Sequence, residues 1–178
     1  DKTKIKSELN DYIELEDISQ WTGKITNKRN TLSVASDVVK FQKNDVLFGK
    51  LRPYLAKVAL ADFDGKCTGE IIAIKPIRVV GEFLAYYLIS KHFINHCNNF
   101  SYGAKMPRIN WNTQMGMFPI SFPDKGEQRA IARYLDEACK KVDTTISITR
   151  QQLDNLETYR KATMQEALTK GLDKNAIM

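Results

Sequence analysis

The sequence predicts an α+β fold in which a mixed globular domain precedes one long C-terminal helix that needs a partner helix. Two observations lead to this prediction. Short segments rich in Val, Ile and Leu, separated by turn residues, are typical of strands. An apolar repeat in steps of three and four residues then continues almost to the end of the chain, which is typical of a long helix. We therefore expect a globular domain over residues 1–123, a helix over residues 124–171 and a tail over residues 172–178.

Several segments of the globular domain have the length and composition of strands. Four of them are Val34–Val39, Asp45–Phe48, Ala56–Ala61 and Glu70–Ile74. Asp64 and Gly65, which lie between the last two of these, form a hairpin-turn signal. A further short strand is expected at Phe118–Phe122, between two prolines. Together these segments predict a sheet-containing domain.

Residues 81–112 change from helical periodicity to none. From Gly81 to Asn95 the apolar side chains lie near helical spacing, which predicts one helix of about fourteen residues. From Asn98 to Asn112 the chain is polar, contains a glycine and a proline, and lacks periodicity. We expect a loop over this second range.

The long helix has clear signals at both ends. Asp124 can act as its N-cap, and Glu127 can complete a capping box. Gly171 is a suitable stop. An unbroken helix over Lys125–Lys170 would be about 69 Å long, far longer than the domain could cover. The β-branched residues in Val142–Thr149 are where the helix is most prone to kink or break.

The apolar residues of this helix form a seam with a phase shift at Val142 rather than a strict heptad repeat. Because the domain cannot cover its outer half, we expect a second helix to do so. The residues predicted to contact the partner helix are Leu135, Ala138, Val142, Ile146, Leu153 and Leu156.

The basic excess of the chain lies in the globular part. The net charge is +6; residues 1–126 hold 18 basic and 13 acidic residues, whereas residues 127–178 hold 9 and 8. A basic surface on one domain favours a polyanionic partner, with nucleic acid the first candidate. An ordinary soluble surface would also explain this charge.

The first basic segment follows a predicted strand, at residues 48–57. It contains Lys50, Arg52 and Lys57 with Tyr54 among them. Lys and Arg neutralise phosphates, and Arg also forms a bidentate pair with guanine. The alternative is a solvated hairpin.

The second basic segment is the loop at residues 101–112. Its candidate DNA contacts are Lys105, Arg108, Asn110 and Asn112. The alternative is that its apolar members simply pack on the core. A third basic loop, residues 27–30, adds Arg29 as a weaker candidate.

Composition argues against several other classes of protein. Since the chain has no apolar run long enough to span a membrane and no apolar segment near its start, we expect a cytoplasmic protein. Cys67, Cys97 and Cys139 are predicted to be reduced thiols. His92 and His96, next to Cys97, have metal-ligand spacing, but two ordinary histidines on a helix surface are the preferred interpretation.

Enzyme signatures are weak. The sequence has no glycine-rich phosphate loop and no Asn-Pro-Pro-aromatic motif of an adenine methyltransferase. Asp45, Asp64 and Lys66 loosely resemble a metal-dependent nuclease pattern, although a turn explains Asp64 more simply. We therefore predict no catalytic residue.

One family matches these segments in order. The segments are Tyr12–Ile18, Asp45–Lys57, Gly103–Trp111, Phe118–Pro123, Glu127–Asp136, Val142–Asp143, Leu156–Ala162 and Glu166–Asp173. They resemble a target-recognition domain and spacer helix of a type I restriction-modification specificity subunit. The resemblance covers nearly the whole chain, and the ordered combination is more specific than any single segment.

The resemblance implies a non-catalytic subunit that binds one half of a split double-stranded DNA target. It implies methyltransferase subunits and restriction subunits as partners, and assigns S-adenosylmethionine, ATP and magnesium to them, with no cofactor in this chain. A complete subunit has two recognition domains and two helices, whereas one of each is present here. The chain is then a fragment, or a half-length subunit that pairs with a second copy through antiparallel helices in a coiled coil. The alternative function is a structural coiled-coil assembly module whose globular domain binds protein.

Overall fold

A computed structural model describes residues 2–3, 11–30 and 38–171, and it confirms the α+β class with a long C-terminal helix. The described strands are β1 (Lys2–Thr3), β2 (Asp11–Ile13), β3 (Arg29–Asn30), β4 (Val38–Phe41), β5 (Val46–Gly49), β6 (Val58–Leu60), β7 (Gly65–Thr68) and β8 (Ile71–Ile74). The described α-helices are α1 (Gly81–Ile89), α2 (Lys91–Phe100) and α3 (Lys125–Lys170). Short helical turns at Leu15–Asp17, Pro53–Leu55 and Trp111–Met115 complete the description.

The strands form two sheets. One sheet has the order β1-β4-β7-β2-β3, and the other has the order β6-β5-β8. In the larger sheet β2 and β7 run parallel, while β4 pairs with β7 antiparallel. In the smaller sheet β5 is central and pairs antiparallel with both neighbours, so that Gly49 lies opposite Ile71 and Val46 opposite Ile74.

Strand β5 is buried on both faces because it lies between two hydrophobic cores. Val46 and Phe48 pack in one core with residues of α1 and α2, including Phe93. Leu47 points the other way and packs in a second core with residues such as Phe41. A strand covered on both faces has a continuous apolar sequence rather than an alternating one. This double burial explains why the strand was evident in the sequence.

Two predicted strand features need correction or lie partly outside the described residues. The hairpin predicted at Asp64–Gly65 is wrong, because this turn connects β6 to β7, which belong to different sheets. Gly65 is itself in β7, where an added Cβ would lie 2.7 Å from the Asp11 carbonyl oxygen. Of the predicted strand Val34–Val39, residues 34–37 lie outside the described residues, and β4 begins at Val38.

The single helix predicted for Gly81–Asn95 is in fact two helices. Ser90 ends α1 and caps α2, since its hydroxyl accepts a hydrogen bond from the Phe93 amide at 3.3 Å. Serine at this position competes with the helix for backbone hydrogen bonds. The apolar periodicity did not reveal the break because it continues across Ser90.

The strand predicted at Phe118–Phe122 is also wrong, because the segment is irregular. Pro119 lacks a donor, and the aromatic residues are used for packing instead. Phe118 contacts His96 with the two rings tilted and their centroids 4.0 Å apart, and Phe122 contacts Phe83 edge-on at 5.7 Å.

No disulfide joins Cys67, Cys97 and Cys139. Burial raises the pKa of Cys67 and of Cys97 to about 12, whereas Cys139 is exposed. Within the described residues no cluster of histidine, cysteine and carboxylate side chains could hold a metal ion. No described helix is both long enough and apolar enough to cross a membrane.

Helix α3 is continuous through Val142–Thr149, the segment where its sequence suggested a kink. The hydroxyl groups of Thr144, Thr145 and Thr149 each donate to the carbonyl four residues earlier, at 2.8 to 3.0 Å. Their hydrogen-bonding capacity is therefore satisfied within the helix. At the start of the helix, the Asp124 carboxylate accepts from the Gly126 and Glu127 amides, which confirms the predicted N-cap.

The chain forms two compact units, residues 1–132 and residues 133–178. The first turns of α3 belong to the first unit, where Gln128 is 2% exposed. Its Oε1 accepts from the Val80 amide and its Nε2 donates to the Pro123 carbonyl, both at 2.8 Å. A buried amide with both ends satisfied fixes the start of α3 to the residue preceding α1.

Replacing Gln128 by alanine should destabilise the first unit. Gln128→Ala leaves the Val80 amide without its acceptor, and we expect the free energy of unfolding to fall by about 1–3 kcal/mol. Urea unfolding followed by tryptophan fluorescence measures this unit alone, because Trp21 and Trp111 are the chain's two tryptophans. Gln151→Ala, at an exposed position of α3, is the matched control. Equal stability of the two variants would contradict this role for Gln128.

Candidate nucleic-acid interface

Backbone hydrogen bonds join the two basic segments predicted from the sequence. The Arg52 amide donates to the Pro107 carbonyl at 2.7 Å, and the Ile109 amide donates to the Lys50 carbonyl at 3.0 Å. Leu51 and Arg108 form an antiparallel bridge between these bonds. Residues 50–57 and 101–112 therefore form one surface, which we call the basic platform.

The second loop of the basic platform closes on itself as a tight antiparallel turn. The Tyr102 and Arg108 amides each donate to the other residue's carbonyl, at 3.0 and 2.9 Å. Gly103 has φ +97°, and a Cβ there would lie 3.1 Å from the Met106 carbonyl oxygen. Lys105 is exposed between these residues. The turn thus presents a lysine at its tip.

The backbone at Arg52 is held in an unusual conformation. Arg52 has φ +52°, in the left-handed region, and precedes the helical turn that begins at Pro53. A non-glycine residue there is less stable by about 1–2 kcal/mol. The hydrogen bond to Pro107 and the Leu55 amide bond to the Arg52 carbonyl at 2.9 Å hold this geometry. These bonds fix the backbone of Arg52 at the junction of the two loops, and its side chain is exposed there.

Three cations of the basic platform have no counter-ion within the described part of the chain. They are Lys50, which is partly buried, and Arg52 and Lys105, which are exposed. Uncompensated charges that share one surface attract a polyanion. Three aromatic side chains of the same surface are substantially exposed: Tyr54 at 45%, Tyr102 at 54% and Trp111 at 41%.

Other predicted DNA contacts have structural partners. The Lys57 ammonium donates to the Leu15 carbonyl at 2.7 Å and so ties the platform to the first helical turn of the domain. The Asn110 carboxamide accepts from the Asn112 amide at 2.9 Å and caps the turn that follows. The Asn112 side chain itself is exposed. For Lys57 and Asn110, a DNA contact stays a prediction without support from these bonds.

Arg29 lies outside the basic platform and is neutralised by carboxylates. Its guanidinium contacts Glu14 at 2.6 Å, Asp17 at 2.8 Å and Glu16 at 3.4 Å. The hydrogen bond to Asp17, which is 3% exposed, raises the pKa of Arg29 above its ordinary value. The carboxylates hold Arg29 within the fold, and its predicted DNA contact has no support from this geometry.

Arg108 forms an ion pair with Glu70, a residue that the sequence does not indicate as part of a site. Arg108 Nη2 lies 3.0 Å from Glu70 Oε1, and the Glu70 carbonyl accepts from the Lys50 amide at 3.0 Å. Glu70 thus contacts both halves of the basic platform. No local signal could have found it, because its partner lies 38 residues further along the chain.

The three residues of the nuclease pattern have structural roles. The Asp45 carboxylate accepts from the Gln42 amide, and the Asp64 carboxylate accepts from the Lys43 amide, at 2.8 and 2.7 Å. Lys66 is buried within β7 at 8% exposure. All three residues have places in the structure that need no catalytic explanation.

The family described as "Type I restriction modification DNA specificity domain" matches residues 2–158, most of the chain. The chain belongs to this family. The match confirms the resemblance found in the sequence and agrees with a specificity module rather than a catalytic subunit.

Individual relatives agree with this assignment. The "Type I restriction enzyme EcoDI specificity subunit" of Escherichia coli is 29% identical over 129 residues, which are 71% of this chain and 29% of the relative. Two solved structures share the fold over 97% of this chain and 45% of theirs. The "Crystal structure of HsdS subunit from Thermoanaerobacter tengcongensis" has a TM-score of 0.64 at 23% identity. The other, described as "Structural basis underlying complex assembly and conformational transition of the type I R-M system", is a structure with a TM-score of 0.70 at 22% identity. The chain therefore spans less than half the length of these relatives.

Removing the ammonium group should lower the stability of the domain at a lysine that makes a structural contact, but not at a lysine without one. Lys57→Met keeps the aliphatic stem but loses the hydrogen bond to Leu15, so we expect a loss of about 1 kcal/mol in the free energy of unfolding. Lys105→Met loses no described contact, and its stability should stay within about 0.5 kcal/mol of the parent. Urea unfolding monitored by tryptophan fluorescence compares the two variants. Similar losses would show that Lys57 does not anchor the platform.

Proposed function

We propose that this chain is a DNA sequence-recognition module of a type I restriction-modification complex, and that it binds one half of a bipartite double-stranded target. The observation that supports this most directly is the junction of two loops into the basic platform. It gathers Lys50, Arg52 and Lys105, none of which has a counter-ion in the described residues. The net charge alone could not indicate such a surface.

The basic platform has the two kinds of group that DNA recognition needs. Phosphate contacts from Lys and Arg fix register and supply most of the affinity, whereas side chains that reach base edges supply specificity. Lys50, Arg52 and Lys105 suit the first role. Asn112 and Arg108 are exposed or partly exposed polar groups that suit the second.

The proposed partners follow from the family. Methyltransferase and restriction subunits would assemble with this module and supply the chemistry, using S-adenosylmethionine, ATP and magnesium. The chain itself would need no cofactor. Since such a complex acts on cellular DNA, we propose a cytoplasmic location.

Helix α3 would join this module to a second helix. Beyond Ala138 every residue of α3 is exposed, including large apolar residues: Val142 at 58%, Ile146 at 43%, Leu153 at 55% and Leu156 at 64%. Burial of such side chains stabilises an assembly by about 1.5–3 kcal/mol each. We propose an antiparallel coiled coil with a second copy or with a second half-subunit.

The competing function is a structural module whose globular domain binds protein. The exposed aromatic residues of the platform are compatible with it. It differs in salt dependence, because DNA binding weakens steeply as salt rises whereas an apolar protein interface does not.

Loss of one free cation should reduce the salt dependence of DNA binding. The two variants are Lys105→Met and Arg52→Asn, the second chosen because asparagine tolerates the positive φ at position 52. In each, we expect the slope of log K against log salt to become shallower by about 0.9. The measurement is fluorescence anisotropy with random-sequence duplex DNA.

Lys75→Met is the matched control for these two variants. Lys75 follows Ile74, at the end of the small sheet opposite the platform, and is exposed. It should keep the parent slope. An equal change in Lys75→Met, or no binding by the parent chain in low salt, would refute this DNA-binding surface.

Charges placed in the apolar stripe of α3 should abolish self-association. We expect the parent chain to dimerise with rising concentration and the Ile146→Asp/Leu153→Asp variant to remain monomeric, as measured by size-exclusion chromatography with light scattering. Gln151→Asp, on the opposite face of the helix, should still dimerise. A parent chain that stays monomeric would rule out pairing with a second copy.

A further inference from the structure

The pair formed by Glu70 and Arg108 is incomplete in a specific way. One hydrogen bond, Nη2 to Oε1 at 3.0 Å, connects the two side chains. Arg108 Nε and Glu70 Oε2 are buried, yet neither has a hydrogen-bond partner in the described part of the chain. An arginine can form two parallel hydrogen bonds with one carboxylate. Here Glu70 binds the guanidinium through a single nitrogen, Nη2.

The remainder of Arg108 is available to a ligand. Its side chain is 42% exposed although Nε is buried, so the accessible atoms lie elsewhere in the side chain. Its backbone is fixed by the bridges to Leu51 and Tyr102. The bond from Nη2 to Glu70 and the fixed backbone together limit the orientations that the Arg108 guanidinium can adopt. Base recognition requires such orientation, because paired acceptors on a base edge must meet paired donors.

The charge of Arg108 differs from that of the free cations. A carboxylate 3.0 Å away largely compensates its charge before any ligand binds. A compensated arginine releases few counter-ions on meeting a phosphate and contributes little to the salt dependence of binding. Lys50, Arg52 and Lys105 have no such compensation in the described residues.

From these observations we infer that Glu70 is a positioning residue for base readout: it orients Arg108 toward a base edge and removes its charge from phosphate binding. This inference rests on the proposed DNA-binding function. It divides the platform into free cations that bind phosphates without regard to sequence and one held arginine that discriminates between bases.

Two measurements on the full chain test the inference. Salt titration with random-sequence duplex DNA gives the number of phosphates neutralised. Selection from a random duplex pool, followed by sequencing, gives the base preference at each position. Glu70→Gln conserves shape, and the backbone bond to the Lys50 amide does not involve the side chain.

The expected results differ between the two measurements. Glu70→Gln frees the charge of Arg108, so the salt slope should steepen by about 0.9, which is about a 3.5-fold change in affinity between 50 and 200 mM salt. The same variant should lose base preference at one position. In Glu70→Gln/Arg108→Gln, which is again neutral as a pair, the slope should return to the parent value while that preference stays lost. Glu70→Asp should keep the parent slope and weaken the preference.

Two controls isolate the effect. Glu82→Gln removes an exposed carboxylate that lies far from the platform. Its neighbour Gly81 lies near the Asn44 carbonyl, at the end of β5 opposite Lys50. It should change neither measurement. Arg52→Asn should make the slope shallower without altering base preference.

Several outcomes would overturn the inference. If the Glu70→Gln variant kept the parent salt slope, Glu70 would not compensate the charge of Arg108. If its slope steepened while every base preference stayed intact, Glu70 would affect only the charge and would not position Arg108. A steeper slope that persists in the double variant would also refute it. No binding of random duplex by the parent chain even in low salt would instead refute the proposed function itself.

Discussion

The candidate interface depends on a change of backbone partner at Lys50. Up to Gly49, β5 pairs with β8, and the Lys50 amide extends this pairing by donating to the Glu70 carbonyl. The Lys50 carbonyl then accepts from Ile109, in a segment far along the chain. Just before this change, the chain at Gly49 lies against the first helical turn of the domain, where an added Cβ would be 2.6 Å from Leu15 Cδ1. A strand buried in both cores therefore leads directly into the loop that meets residues 101–112.

Five basic residues of the domain show two physical classes that composition cannot separate. Arg29 and Lys57 direct their charge inward, to carboxylates and to a carbonyl group, and they stabilise the fold. Lys50, Arg52 and Lys105 meet no counter-ion in the described residues and contribute the external field. The net charge of residues 1–126, an excess of five positive charges, does not depend on how many basic residues fall in each class. Contacts, rather than counts, therefore identify the surface that a polyanion would meet.

The sequence predicted elements whose signal is local, and it failed where the decisive partner is distant. β5 and α3 were evident because burial on both faces and a long apolar repeat leave their pattern in the residues themselves. The turn at Asp64–Gly65 has local hairpin chemistry, but the following strand pairs with β2 and β4 in another sheet. The two loops are each evident as basic segments, while their junction and the contact of Glu70 with Arg108 depend on pairings across many residues. The short apolar run at Phe118–Phe122 likewise packs through distant aromatic contacts, such as that of Phe118 with His96.

Helix α3 poses a different problem, because its outer part is regular without any described tertiary contact to explain it. In most proteins an amphipathic helix derives its stability from packing of its apolar face. The exposed threonines Thr158, Thr163 and Thr169 satisfy their hydroxyl groups on the helix's own carbonyls. They therefore do not need a polar partner, whereas Leu153 and Leu156 expose apolar area that water disfavours. The stripe left exposed on this helix is thus apolar, which is the kind of surface that the proposed second helix would cover.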